Sequence, residues 1–389
     1  SNFNRTGTSY LAYNGPRFVL ATVTQSNPTS PTFRNTQAGY PEGFASPANF
    51  DPRTSTVQYI PADSPSVHVG SYYLSVQQQL PSQWLVDMAY VGNNSGNLII
   101  INDINQARPN AVGENTNVEL RRPNQAFSSI AATLPSGYGN YNSLQVRVQK
   151  SSPNGLFFLN SFTYSKAMDV AAQAFDSNNG NNTAVQNVNN VAADYGISNS
   201  NRPINNVTSV VYQLPFGPGR HFLGNARGIV GGLVGGWEAN TIVNARSGEP
   251  VTLTYTPNAQ QQVVPVLSVL GRNASRPNVV GNPVNTGGAR TPLTYLSAAN
   301  VSVPQYFAPF GNARRNTIRG YAYYQTDFGL SKHIPIHEGI QAQFRAEAFN
   351  LFNHSNFTAP DGNISNTTFG RISSTYPQRQ LQFALKVLF

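Results

Sequence analysis

Cysteine is absent from the 389 residues, which excludes a disulfide framework and every zinc or redox centre built on thiolates. Charge is scarce as well: Asp, Glu, Lys and Arg make up 11% of the chain, against about a quarter in ordinary soluble domains. Long apolar runs are missing too. A helix needs roughly 18–20 consecutive apolar residues to span a bilayer, and the most apolar stretch, GIVGGLVGGW at residues 228–237, is half that length and carries five glycines. No basic-then-apolar leader precedes the first strand pattern, and the chain opens on Ser1 without an initiator methionine. The expectation is a processed chain or a fragment.

Asn, Gln, Ser, Thr and Gly supply the polarity that charges do not. The net charge of +9 arises from 25 Lys and Arg against 16 Asp and Glu. A nucleic-acid footprint would gather such charge on one face or interleave it with stacking aromatics. Here the basic residues are dispersed, Arg121-Arg122 and Arg314-Arg315 being the only tight pairs. The balance therefore points to a moderately basic envelope protein with no nucleic-acid partner.

Helical periodicity is nearly absent, whereas two-residue alternation recurs throughout. In residues 340–349, Ile340, Ala342, Phe344, Ala346 and Ala348 share one face, and Gln341, Gln343, Arg345 and Glu347 share the other. Leu144, Val146 and Val148 alternate with Ser143, Gln145, Arg147 and Gln149 in the same way. The spacing predicts an all-β protein of about ten strands, near residues 17–25, 67–79, 84–91, 141–150, 156–164, 207–214, 237–247, 321–334, 340–350 and 379–389. Such alternation fits a soluble sandwich with one wet face. The connections discriminate. Short ones (80–83, 151–155, 215–236 and 335–339) alternate with long ones (26–66, 92–140, 165–206, 248–320 and 351–378). Outer-membrane barrels place short periplasmic turns at one end and long extracellular loops at the other. The reading is a transmembrane antiparallel β-barrel segment spanning residues 1–389, its apolar face covered by outer-membrane lipid. Tyr72, Tyr90, Tyr164, Tyr212, Trp237 and Tyr324 are candidates for its interfacial aromatic girdles.

Several ordered segments then resemble one family. These are YNSLQVRVQKSSPNGLFFLNSFTYSKAMD at 141–169, VVYQLPFGPGR at 210–220, GGWEANTIVNARSGEPVT at 235–252, RPNVVG at 276–281, FGNARRNTIRG at 310–320, QAQFRAEAFNLFNHSNF at 341–357 and the closing FGRISSTYPQRQLQFALKVLF. Together they resemble the Oar-like TonB-dependent receptors, large outer-membrane proteins abundant in acidobacteria and their relatives, over roughly residues 65–389. The resemblance implies a barrel of about 22 strands around an N-terminal plug that contacts the TonB complex. Neither the plug nor the remaining strands is found in this chain, so the expectation is the C-terminal part of such a barrel. Residues 194–206 (DYGISNSNRPINN) depart from the family's more charged pattern, and no ligand role is transferred to them.

Chemistry-bearing motifs are few. The five histidines are dispersed, and only His333 and His337 lie close in sequence, across PIHEG. DSNNG at 176–180 begins like a calcium loop but lacks the terminal glutamate. The glycine-rich stretch at 228–236 has no Lys-Ser/Thr after it, and no G-x-S-x-G motif occurs. No catalytic, cofactor-binding or metal-ligating residue is expected, and no enzymatic activity. The candidates for function are the charges expected to face the lumen: Asp87, Arg147, Glu238, Asp327, Arg345 and Glu347. Phe383, Leu385, Val387 and Phe389 form the candidate signal for the barrel-assembly machinery. The leading expectation is uptake of a bulky nutrient of the siderophore, oligosaccharide or peptide class. The alternatives are an independent small barrel or self-assembling adhesion protein, and a soluble carbohydrate-binding sandwich.

Overall fold

Nine long strands, each hydrogen-bonded antiparallel to the next in chain order, form one sheet: β1 (His68–Leu80), β2 (Trp84–Asp103), β3 (Ile130–Ser151), β4 (Leu156–Asp169), β5 (Ile204–Gln213), β6 (Trp237–Arg246), β7 (Tyr323–His337), β8 (Ile340–Phe349) and β9 (Gln380–Leu388). The structure is a computed structural model that describes residues 57–114, 116–170, 185–258, 275–337 and 340–389, with residues 46, 48, 51–53, 266–267 and 272–273. The strand expected at 17–25 and the DSNNG segment lie outside the described residues. One helix, α1 (Gly228–Val234), is present among them.

Register shows why the sheet is two-faced. One continuous set of cross-strand partners runs Val76, Met88, Val146 and Phe162 over β1–β4, and another runs Val210, Thr241, Phe328, Ala348 and Leu381 over β5–β9. All of these positions share the sheet face that carries Leu74, Tyr164, Leu385 and Phe383, which are large apolar groups left exposed. An uncovered apolar face of this extent excludes the soluble sandwich, in which a second sheet would bury it. The opposite face carries Gln77, Asp87, Arg147 and Ser161 in one row and Glu238, Ser331, Arg345 and Ala384 in another.

The six girdle candidates all fall on the apolar face. Along β2, Trp84 and Tyr90 are six residues apart, about 20 Å at roughly 3.3 Å per residue, close to the apolar band of about 25 Å in outer-membrane barrels. Two cross-strand partners mark its short-turn edge. Lys150 lies 5.0 Å from the centroid of its partner Trp84, and Lys332 lies 4.9 Å from that of Trp237. Lys332 Nζ also donates to the Leu233 carbonyl at the end of α1 at 3.1 Å. The helix exposes Ile229, Val230 and Leu233 beside this edge.

Connections at that edge are short except for residues 214–236, which carry α1. Residues 81–83 join β1 to β2 with Ser82 and Gln83 at φ 61° and 63°. Residues 152–155 join β3 to β4, closed by Gly155 N donating to Ser152 O at 3.0 Å. Gly155 is at φ 81°, in the left-handed region that favours glycine. At the other end, residues 104–129, 170–203, 247–322 and 350–379 connect the strands. The alternation of short and long connections agrees with the sequence expectation.

Four boundaries need correction. The strand expected at 84–91 continues to Asp103, and its partner, expected at 141–150, begins at Ile130. The strand expected at 156–164 runs on to Asp169. β7 continues to His337 through a register shift after Pro335, past the expected end at residue 334. The cause of the first discrepancy is visible in GNNSGN at 92–97, which has weak β-propensity and no period. Tyr72 compensates by laying its ring over Gly92, where an added Cβ would come within 2.4 Å of the ring. Its hydroxyl and that of Tyr90 both donate to Asn142 Oδ1, at 3.0 and 2.7 Å.

The long connections fold together as a cap with its own interior. Val251, Leu253, Tyr295, Leu296, Ala313, Ile318 and Ile372 form one buried apolar cluster, drawn from the β6–β7 and β8–β9 connections. Ile100, Val170 and Val185 form a second. Short ladders tie the segments: Pro250–Val251 with Ile318–Arg319, and Asn278–Val279 with Val301–Ser302.

Candidate functional site

All six charges expected to face the lumen lie on the polar face, in two groups. Asp87 and Arg147 are cross-strand partners on β2 and β3. They do not join: Arg147 Nη2 donates to Gln149 Oε1 at 2.9 Å, while Asp87 Oδ1 is buried without a hydrogen-bond partner. The second group gathers on β6–β8, where Glu238 and Arg345 both flank Ser331 and Glu347 pairs with Gly329. Arg345 and Glu347 form an ion pair along one strand. Asp327 Oδ1 accepts from Gln325 Nε2 at 2.7 Å and from Asn350 N at 2.8 Å, which fixes the start of the β8–β9 connection.

Toward the cap this polar face passes into an aromatic and charged mouth. The Arg246 guanidinium lies 4.4 Å from the centroid of Tyr323, its cross-strand partner, and 5.9 Å from that of Tyr376. The Tyr376 hydroxyl donates to Glu249 Oε1 at 3.1 Å, and Arg202 Nη2 donates to the same oxygen at 3.1 Å. Burial, followed by the Glu249 carboxylate, raises the Tyr376 ionisation above its ordinary value. Arg319 reaches from the cap to donate to Asn201 O at 3.1 Å, and burial lowers its ionisation, with Arg202 adding to the effect.

Within the cap a set of buried arginines meets carboxylates from strand ends and from the connections. Arg122 contacts Asp103 at 3.0 Å and Glu119 at 2.8 Å, Arg315 contacts Asp169 at 2.8 Å, and Arg276 pairs with Asp194. Composition and spacing did not reveal these partners; the tight basic pairs Arg121-Arg122 and Arg314-Arg315, read only as exceptions to a dispersed charge, were the one available signal. In the second pair the residues separate: Arg314 is exposed and Arg315 is buried. Asn316 Nδ2 donates to Ile197 O at 2.8 Å, so the motif at 310–320 clamps the segment at 194–206. Both Asp194 and Arg202 of that segment are structural partners.

Of the assembly-signal candidates, Phe383, Leu385 and Val387 stand exposed on the apolar face, and Phe389 lies one residue beyond β9, fully exposed. Among the described residues no group of three or more His, Asp or Glu could hold a metal ion. His333 and His337 lie on β7, and His333 Nε2 is 3.4 Å from Gln343 Nε2 on β8.

Comparison with known proteins places this arrangement. Among solved structures, the chain is similar to the outer membrane transporter YddB from Escherichia coli, with 10% identity and a TM-score of 0.42, covering 86% of this chain and 34% of that one. It is similar to the FrpB iron transporter from Neisseria meningitidis (F5-1 variant), at 9% identity and a TM-score of 0.41, covering 86% and 34%. The ferric citrate transporter FecA gives 10% identity and a TM-score of 0.38, covering 82% and 31%. The chain thus spans about a third of the length of these transporters. No curated protein sequence matches it. The family model described as an outer membrane beta barrel domain matches residues 1–382. With nearly its whole length matched, the chain belongs to the outer membrane β-barrel domain family.

Proposed function

We propose that residues 1–389 form the C-terminal barrel portion of an Oar-like, TonB-dependent receptor that takes up a bulky nutrient across the outer membrane. The observation that carries this reading is the division of labour along the strands. One face is apolar over nine strands and suits lipid, the other is polar and suits a lumen, and the long connections at one end fold into a cap. Among the described residues β1 and β9 each pair on one side only. Unpaired backbone edges are costly in a bilayer, which supports the reading of this sheet as part of a larger closed barrel. In a longer precursor the remaining strands and the plug would precede Ser1, and the plug would carry the contact with TonB.

In this reading the cap is extracellular, α1 and the short turns are periplasmic, and the six polar-face charges line the path between barrel and plug. Phe383, Leu385, Val387 and Phe389 serve the barrel-assembly machinery. The test is expression of residues 1–389 alone and joined to the sequence encoded upstream, followed by membrane fractionation and uptake of a panel of labelled siderophores, oligosaccharides and peptides. Energised accumulation is expected only from the joined form. Accumulation by the chain alone, or closure of the sheet by a second copy in detergent, would overturn the assignment. Deleting Phe389 should reduce membrane insertion without changing charge.

A further inference from the structure

The connection from β5 to β6, residues 214–236, is the long one at the short-turn edge, and its composition sets it apart. It contains Arg220, His221 and Arg227 but no Asp or Glu. Phe216, Phe222 and Leu223 stand exposed in its first half, and in its second half α1 leaves Ile229 84%, Val230 58% and Leu233 63% exposed. Seven residues that include three glycines would not hold a helix alone in water. Tertiary contacts hold this one.

Those contacts fix which way it faces. Gly231 is buried, and a Cβ there would meet Ala226 O at 2.8 Å and Pro218 Cγ at 3.2 Å, so this side of α1 lies on its own connection. At about 100° per residue, Ile229 and Leu233 occupy the opposite side, with Val230 next to them. At the C-terminal end, Trp237 Nε1 donates to Leu233 O at 2.9 Å, and Lys332 Nζ donates to the carbonyls of Leu233 and Gly235. Trp237 and Lys332 are cross-strand partners on the apolar face of the sheet. The helix is therefore latched to the apolar side, which sets its stripe at the border of that face. Arg220 turns the other way, its Nη2 donating at 3.1 Å to Gln213, the cross-strand partner of Glu238 on the polar face. Arg227 stands exposed at the start of α1.

A contiguous apolar patch of this kind marks a docking surface, and the adjoining sheet face suits lipid. Phospholipid satisfies the charge pattern as well, since the connection holds no carboxylate to repel anionic headgroups and an exposed arginine to attract them. We propose that the β5–β6 connection anchors the barrel in the periplasmic leaflet, α1 lying along that leaflet with Ile229, Val230 and Leu233 among phospholipid acyl chains, an inference that rests on the reading of the short-turn edge as periplasmic.

The experiment reads a bimane label on a single introduced cysteine in the full-length protein, reconstituted into vesicles of phosphatidylethanolamine and phosphatidylglycerol with and without spin-labelled phospholipid. Residues 1–389 contain no cysteine, and the unsubstituted protein supplies the background. Labels at Ile229→Cys and Leu233→Cys should be quenched by about twofold or more, as should one at Leu385→Cys on the apolar face of β9. A label at Leu293→Cys, exposed in the cap, should not. Quenching at 385 without quenching at 229 and 233 would overturn the anchor and leave the barrel reading intact; no quenching at any of the three would overturn both. Protection of the 229 label from aqueous iodide without lipid quenching would show that a protein or a second copy of this chain covers α1, and would overturn the anchor too.

Discussion

Arg276 and Asp194, 82 residues apart in sequence, meet as an ion pair with 5% and 1% of their side chains exposed. Asp194 Oδ2 also accepts from Gln186 N at 2.8 Å, and Arg276 Nε donates to Ala313 O at 2.7 Å. Removing either partner strands the other as a buried charge, which costs about 3–5 kcal/mol. Arg276→Met or Asp194→Leu alone should therefore loosen the cap, raising hydrogen exchange at residues 185–200. The double variant should cost clearly less than the sum of the two. Additive losses in the double-mutant cycle would show that the pair contributes no coupling.

Gly311 occupies a place that admits no side chain. A Cβ there would lie 2.1 Å from Arg276 O and 2.3 Å from Pro277 O, both backbone atoms with little freedom to retreat. Gly311→Ala should destabilise the cap by about 1–3 kcal/mol, the usual range for overpacking. Protease cleavage within 275–320 should rise several-fold, with strand content by infrared amide absorption unaltered.

Tyr255 is fully buried and donates to Pro309 O at 3.0 Å. Burial pushes its ionisation up from 10.0 to about 12. Because the folded value is the higher one, its contribution to stability is complete below pH 10.0 and fades as pH rises toward about 12. The cap should loosen over that alkaline window, followed by tyrosinate absorbance together with exchange. In Tyr255→Phe this alkaline component should disappear, at a constant loss of about 1 kcal/mol from the missing hydrogen bond.

Leu385 on the apolar face of β9 and Gln382 on its polar face provide an internal comparison. Leu385→Arg places a charge among lipid, worth about 2–4 kcal/mol near the bilayer midplane. Gln382 lies across from Glu347, so Gln382→Arg gains a partner and should be tolerated. The heat-modifiable fraction on a gel should fall for the first variant only.

Much of the sheet could be read before any coordinates, because strands facing lipid on one side and water on the other must alternate. Ile340, Ala342, Phe344, Ala346 and Ala348 do share one face of β8, and the parity of short and long connections agrees. The extensions of β2 and β3 were illegible for the same reason. Asn93 pairs with Tyr141 and Asn94 with Asn140, where both faces are polar and the two-residue period vanishes. The cap was harder still. Its ladders are two residues long, and its buried partners, such as Arg315 and Asp169, are 146 residues apart. RPNVVG and FGNARRNTIRG stood out as family signatures, but nothing in their spacing told that Arg276 and Arg315 anchor an interior.

The scarcity of charge noted at the outset has an environmental consequence through the buried pairs of the cap. Ionic screening acts over about 8 Å at physiological salt and weakens exposed pairs far more than enclosed ones. Asp103 and Asp194 are both shielded with their arginines. The cohesion of the cap should thus be nearly the same at low and at high salt, leaving ionic strength to act on its exposed pairs rather than on its interior.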